Sequence, residues 1–149
     1  QSPGWVVILN EMFHEYRTIP VDGRAHLPEG VGQLLGDARG WWDGDTLVVE
    51  TTNFSDKRHF LWRATWRAAR PALHLIERFT RLDDDTIDYE FTMTDPTMFT
   101  RPWTARLPMT TDQMSRGVTS GPMFEYACHE GNYGLLNIMR GARVEELDR

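Results

Sequence analysis

The stretch at 73–95, LHLIERFTRLDDDTIDYEFTMTD, predicts the class of fold. Apolar and polar side chains alternate along 73–82 and again along 86–95. A two-residue period is typical of a β-strand with one buried and one solvated face. The aspartates between these runs, Asp83–Asp85, favour a turn. The stretch is therefore predicted to form an antiparallel hairpin.

Strands are predicted on both sides of this hairpin. The segment 41–54, WWDGDTLVVETTNF, indicates a second hairpin that turns at Asp43-Gly44-Asp45. Further short strands, with alternating or apolar character, are predicted at 5–9, 13–20, 98–110 and 122–130.

Three segments do not have a strand pattern. Residues 27–40 contain Pro28 and four glycines, and they are predicted to form a loop with at most one helical turn. Residues 55–71 fit either a helix that begins near Ser55 or a long loop. Residues 132–149, NYGLLNIMRGARVEELDR, are predicted to close the chain as a helix, although two glycines weaken it.

The predicted fold is mainly β, an antiparallel meander of seven or eight mostly consecutive strands with minor helix. A meander of this length leaves unpaired strand edges unless it closes on itself. Closure predicts a calycin-like or lipocalin-like barrel, and the alternative is a strongly curved sheet around a pocket. Small barrels of this kind often enclose one small ligand. Residues 1–149 are expected to form a single domain.

The composition excludes some classes of protein. Of the 149 residues, 40% are hydrophobic and 26% are charged, as in an ordinary globular domain. The net charge of −6 argues against nucleic acid as a partner, because phosphate binding requires a basic surface. The longest apolar run, WVVIL at 5–9, is far shorter than the ~18 residues of a membrane span. The chain begins at Gln1 without Met or a signal peptide and is expected to be either a processed protein or the second part of a longer one.

A first group of candidate site residues surrounds the predicted strand at 13–20. Histidine is a general base near neutral pH and a common metal ligand, and two histidines separated by a turn can converge. His14 is therefore a candidate catalytic and metal-binding residue, and His26 is a candidate metal ligand. Glu11 and Arg17 are candidate ligand-binding residues beside them. The alternative is that His14 hydrogen-bonds a neighbouring residue of the barrel and His26 lies in a surface turn.

The segment 125–134, EYACHEGNYG, contains the only cysteine of the chain. In a strand, Cys128 and Glu130 share one face and His129 points to the other, which argues against a Cys–His nucleophilic pair. His129 and Glu130 are candidate catalytic residues, and His129 is also a candidate metal ligand. The alternative is the end of a strand whose polar groups satisfy one another.

Charged residues interrupt several apolar strands. Glu77 shares a strand face with Leu75 and Phe79, which is the more apolar side, and Arg78 points to the opposite side. Glu77 is therefore the candidate for a buried catalytic carboxylate. Glu50, which interrupts LVVETT, and Arg78 are candidate ligand-binding residues. A structural ion pair between Glu77 and an arginine of a neighbouring strand is the alternative.

Aromatic residues are numerous enough to line an apolar pocket, with six Trp, seven Phe and four Tyr. Trp41 and Trp42 are adjacent in a strand and therefore cannot both face one core. Trp42, Tyr126 and Tyr133 are candidate ligand-binding residues.

Five stretches carry a resemblance to a known family: NEMFHEYRTIPVDGRAHLP, GDARGWWDGDTLVVETTNF, HLIERFTRLDDDTIDYEFTMTDP, RPWTARLPMT and YACHEGNYGLLNIMRGAR. Together they resemble a family of exported hypothetical proteins that is abundant in soil bacteria, especially acidobacteria and proteobacteria. The resemblance covers nearly the whole chain. It implies no assigned activity.

The resemblance implies a periplasmic or secreted protein, because members of this family usually carry a signal peptide and an additional N-terminal region. It also implies that this chain is the C-terminal part of a longer precursor. It also implies a disulfide between Cys128 and a cysteine of that region. This chain departs from the family pattern at Ala38 and Trp41, where serine and arginine are common. It departs most at 60–72, where FLWRATWRAARPA replaces a shorter Gly/Ser-rich piece.

The leading hypothesis is an exported domain that binds a small, largely apolar molecule in an aromatic-lined pocket. One alternative is a hydrolase or isomerase with a His/Glu site, with or without a metal ion. Another is an accessory subunit of a larger assembly. No particular cofactor is indicated, and no transmembrane segment is expected.

Overall fold

The computed structural model describes residues 3–11, 14–55, 71–111 and 132–147. These residues form seven β-strands and one α-helix, which confirms the prediction of a mainly β fold with minor helix. In chain order the elements are β1 (Trp5–Leu9), β2 (Tyr16–Pro20), β3 (Asp37–Asp43), β4 (Thr46–Thr52), β5 (His74–Arg81), β6 (Thr86–Thr94), β7 (Trp103–Thr110) and α1 (Asn132–Leu147).

Strands β3 to β7 form one antiparallel meander in which each strand pairs with the next along the chain. The two hairpins predicted from alternation, β3–β4 and β5–β6, are confirmed. The β3–β4 turn contains Gly44 at a φ of 59°, a conformation that glycine adopts without steric cost. In the β5–β6 turn, the amide of Asp85 donates to a carboxylate oxygen of Asp83 at 2.8 Å, so the aspartates stabilise the turn as expected.

The described strands do not close into a barrel. The meander has β3 at one edge and β7 at the other, and β1 and β2 form a separate two-stranded antiparallel sheet. A barrel would require hydrogen bonds that join the first and last strands of the sheet. The described part of the chain therefore contains two open sheets.

The β1–β2 hairpin packs on one face of the meander, which we call the inner face. Ile19 of β2 is fully buried there against Ala38, Leu47 and Val49. A second apolar cluster on the same face joins the end of β4 to β5 and β6, and it contains Phe54, Leu73, Leu75 and Met93. We call the opposite side, which carries Arg39, Glu50 and His74, the outer face.

The prediction of a loop at 27–40 is wrong for its last four residues, because β3 already begins at Asp37. Gly40 lies in that strand opposite Val49. A Cβ atom at Gly40 would lie 2.9 Å from Ile19 and 3.0 Å from Val21. The glycine therefore allows the hairpin to approach the meander closely, and it does not mark a loop.

Helix α1 spans Asn132–Leu147 in spite of its two internal glycines, which agrees with the predicted closing helix. Among the described residues, no helix has both the length and the apolar character that a membrane crossing requires. The predicted strand at 122–130 and nearly all of 55–71 lie outside the described residues.

Candidate functional site

An open cleft of about 400 Å³ lies beside the edge strand β3, where the segment after β2 passes onto the outer face. One wall is apolar and includes the side chains of Val21, Ala25 and Trp41. Polar side chains from three parts of the chain converge on the cleft, namely Arg24, His26, Arg39 and Glu50. A volume of this size and a mixed lining are typical of small-molecule sites.

Four side chains at the cleft form a row of alternating carboxylates and imidazoles, which we call the imidazole–carboxylate chain. His26 lies between Asp37 and Glu50, with Nδ1 at 3.0 Å from Oδ2 of Asp37 and Nε2 at 3.3 Å from Oε2 of Glu50. The other oxygen of Glu50 lies 2.6 Å from Nε2 of His74. The imidazole–carboxylate chain therefore connects Asp37 of β3, Glu50 of β4 and His74 of β5 across the outer face. His26, from the segment after β2, lies between the first two.

Backbone and side-chain bonds hold His26 in position. The amide of Leu27 donates to Asp37 at 2.8 Å, and Nε of Arg39 donates to the carbonyl of Ala25 at 2.9 Å. Asn53, at a φ of 52°, donates to the carbonyl of Leu27 at 3.0 Å. Both neighbours of His26 are therefore tied to the sheet, which limits the movement of the imidazole.

Both carboxyl groups of the imidazole–carboxylate chain, those of Asp37 and Glu50, have a lowered pKa. Burial by itself would raise the pKa of Glu50, but hydrogen bonds from His74 and His26 outweigh it, so the pKa lies below its usual value. Burial would also raise the pKa of Asp37. Hydrogen bonds from the Leu27 amide, Arg39 and His26 outweigh burial there too and lower the pKa.

The neighbouring carboxylates orient the two imidazoles. Nδ1 of His26 faces Asp37 and also lies 3.3 Å from Oγ1 of Thr52, and Nε2 faces Glu50. His74 is half-exposed, and Glu50 fixes its ring through Nε2. An imidazole that a carboxylate orients is the arrangement found in general bases. In the described part of the chain, no group of three or more His, Cys, Asp or Glu residues could hold a metal ion.

A buried ion pair lies on the inner face. The Nη1 atom of Arg17 lies 2.6 Å from one oxygen of Glu77, and Nη2 lies 3.0 Å from the other. The hydroxyl of Tyr89 donates to Glu77 at 2.8 Å. The carboxylate of Glu77 is only 1% exposed, and no water is needed to satisfy it because three donors surround it.

The environment of this ion pair shifts the pKa values of both partners of Glu77. Burial would lower the pKa of Arg17, but the hydrogen bonds to Glu77 and its negative charge raise it overall. Burial, and then the charge of Glu77, raise the pKa of Tyr89 well above its usual range. The carboxylate of Glu77 thus belongs to a buried ion pair and accepts three hydrogen bonds from Arg17 and Tyr89. This is the structural ion pair given above as the alternative to a catalytic role for Glu77.

The predicted group around β2 does not come together. Arg17 binds Glu77 on the inner face, and His26 binds Glu50 on the outer face. The two glutamates lie on opposite faces because Glu77 pairs with Val49, the neighbour of Glu50 in β4. Glu11 and His14 are exposed residues of the turn before β2, where the amide of His14 donates to the carbonyl of Glu11 at 3.2 Å.

The two predicted ligand-binding residues Trp42 on β3 and Arg78 on β5 lie outside the cleft. Trp42 points to the inner face, and Trp41 lines the cleft in its place. Arg78 lies on the outer face and donates to Asp43 at 2.7 Å. The remaining candidates fall outside the description: Tyr126, Cys128, His129 and Glu130 lie outside the described residues, and Tyr133 lies in α1 but its side chain is not described.

Sequence reasoning missed four residues of these two sites, and only two left a usable signal. Alternation along β5 places His74 on the face opposite Glu77, and alternation along β6 places Tyr89 with Phe91. Asp37 and Arg39 were hidden in the predicted loop. The approach of His74 to Glu50 depends on the pairing of β4 with β5, which a single sequence does not specify.

Searches of protein-family models, curated proteins and solved structures found no match to this chain.

The stability of the folded chain is expected to fall between about pH 5 and pH 3. The usual values are 4.5 for Glu50 and 3.8 for Asp37, and both pKa values are lower in the folded state. The unfolded chain therefore binds more protons in this range, so folding is favoured above it and weakened as the pH falls. Glu50→Gln is expected to flatten this dependence in urea denaturation, whereas Glu29→Gln, at an exposed loop position, leaves it unchanged. Equal slopes for the two variants would contradict the expectation.

Proposed function

We propose that this chain binds a small molecule in the cleft beside β3. The observation that carries the proposal is the meeting of an apolar wall, with Trp41 and Val21, and a polar end, with His26, Glu50 and Arg39, in one cleft of about 400 Å³. This keeps the hypothesis of an aromatic-lined binding pocket but places the pocket outside the sheet and not within a barrel.

Rigidity of the polar end supports the proposal. Sites that bind small molecules are usually formed before the ligand arrives, because ordering side chains during binding costs affinity. His26 has carboxylates on both sides, and Arg39 is held by Asp37 at 2.6 Å and by the carbonyl of Ala25. These side chains therefore need little rearrangement to contact a ligand.

The position of Trp41 at the wall of the cleft also supports the proposal. Trp41 is 44% exposed although it lies in a regular strand of the meander. An exposed indole at the wall of a cleft provides a flat apolar surface, and aromatic side chains of this kind contribute strongly to binding. The ligand is expected to have a largely apolar body that lies against this wall.

The substitution Trp41→Ala is expected to weaken ligand binding about tenfold or more, because it removes the main aromatic surface of the cleft. Trp42→Ala is the matched control, since Trp42 is a similarly exposed tryptophan (51%) in the same strand but on the inner face. A library of small molecules is screened by thermal shift on the unmodified chain, and each hit is titrated by calorimetry on both variants. Equal losses for the two variants, or a screen without any hit, would count against the cleft.

Other expectations stay predictions. Export to the periplasm or beyond the cell, closure of the sheets into a barrel, and a role as accessory subunit have no support from the contacts described above. The hydrolase or isomerase hypothesis has a possible base in His74, which Glu50 orients at 2.6 Å, in place of His14 or His129. If the chain converts a compound found in the screen to a product, that result supports the hydrolase or isomerase hypothesis.

A further inference from the structure

We propose that the ligand of this cleft is a small monocarboxylate with a flat apolar body, whose carboxylate binds Nη2 of Arg39. The inference rests on the proposed function, since it names the class of molecule that the same cleft binds. Three observations carry it, namely the unused hydrogen-bonding capacity of the cleft, its charge, and its apolar wall.

Arg39, which lines the cleft, has one hydrogen-bond donor that the protein does not use. Arg39 uses Nε for the carbonyl of Ala25 and Nη1 for Asp37 and the carbonyl of Ala38, and Nη2 has no partner among the residues that the structure describes. The side chain of Arg39 is 14% exposed and lines the cleft, and Nη2 is not one of the buried unpartnered side-chain atoms of the described residues. A ligand acceptor would therefore replace water at Nη2 with a charge-assisted hydrogen bond.

The carboxylates beside the cleft already accept hydrogen bonds from the protein. Asp37 accepts bonds from the Leu27 amide, His26 and Arg39, and Glu50 accepts from His26 and His74. A ligand ammonium group at this end of the cleft would be repelled by the positive charge of Arg39. The unused donor of Arg39 therefore favours a ligand that accepts hydrogen bonds there.

The arginines beside the cleft form ion pairs. Arg39 pairs with Asp37, and Arg24 pairs with Asp22 at the rim. The bond of an incoming carboxylate to the guanidinium of Arg39 is charge-assisted, which makes it stronger than the bond of a neutral carbonyl.

The shape of the cleft limits the rest of the ligand. The indole of Trp41 and the side chains of Val21 and Ala25 form a wall for a flat or short apolar body. Because Nε of Arg39 is already bonded, the guanidinium cannot form the usual two-nitrogen fork on that side, and the carboxylate is expected to bind end-on to Nη2.

Three compounds of matched size test the inference at pH 7: phenylacetate, phenylacetamide and phenethylamine. Calorimetry on the unmodified chain is expected to give a dissociation constant for phenylacetate at least about tenfold lower than for the amide, and the weakest binding for the amine. The substitution Arg39→Gln should abolish the difference between acid and amide. Arg78→Gln is the matched control on the same face outside the cleft, and it should preserve that difference.

The comparison of acid, amide and amine on the unmodified chain needs no variant, so it remains decisive if Arg39→Gln does not fold. Binding of the amide or the amine as tightly as the acid, with loss in Trp41→Ala, would overturn the ligand class and leave the binding function standing. No binding by any of the three would also overturn the class. The wider thermal-shift screen then decides the proposed function separately.

Discussion

The substitution Arg17→Met is expected to lower the free energy of unfolding by about 3–5 kcal/mol. It leaves the carboxylate of Glu77 buried without its charged partner, and only the hydroxyl of Tyr89 still donates to it. An uncompensated buried charge is among the most costly changes in a protein interior. Urea denaturation of the variant beside the unmodified chain measures the effect.

The double substitution Arg17→Met/Glu77→Leu is expected to recover a large part of this loss, because it leaves no buried charge. The remaining cost is that Tyr89 loses its acceptor, which is about 1–3 kcal/mol. Arg106→Met is the surface control, since Arg106 is exposed and pairs with Asp88 at the edge of the sheet, and it should change stability little. A double variant that is less stable than Arg17→Met would show that the ion pair is not the source of the effect.

The substitution Gly36→Ala is expected to cost about 2–5 kcal/mol, the sum of backbone strain and overpacking. Gly36 has a φ of 75°, and an added Cβ would lie 2.5 Å from Thr51 and 2.7 Å from Phe54. Both neighbours are nearly or fully buried, so neither can move away freely. The same denaturation experiment provides the measurement.

Gly44→Ala separates the two contributions. Gly44 also has a positive φ, of 59°, but nothing lies within 4 Å of an added Cβ. It should therefore cost only the backbone strain, about 1–2 kcal/mol. If the two variants are equally destabilised, the close contact of Gly36 with the core does not contribute.

Alternation of apolar and polar residues predicted most of the meander, because the side-chain period of a strand is a local property of the backbone. It also placed Glu77 on the apolar face, and the carboxylate is buried there. Alternation failed at the start of β3. The glycines of that region suggested a loop, yet Gly40 lies in the strand where β2 approaches the sheet.

The candidate site was predicted only in parts. The sequence indicates Glu50, His26 and Arg17 as charged or titratable residues near strands, but it does not predict the residues that they contact. The partner of Glu50 at the shortest distance is His74, which follows 24 positions later. The partner of Arg17 is Glu77, which is 60 positions away. Pairs at such separations depend on strand pairing and on the packing of two sheets, which local patterns do not specify.

The sequence by itself determined that this chain is a β protein with two tight hairpins and a charged residue on an apolar strand face, because these features follow from backbone periodicity and turn chemistry over a few residues. Only the tertiary structure decided where the sites lie. The register of β4 against β5 brings Glu50 to His74, and the passage of the chain after β2 over the edge strand carries His26 to Glu50 and Asp37. Contacts between distant segments form only when their combined burial and hydrogen bonding outweigh the entropy of joining them, and that balance belongs to the whole fold.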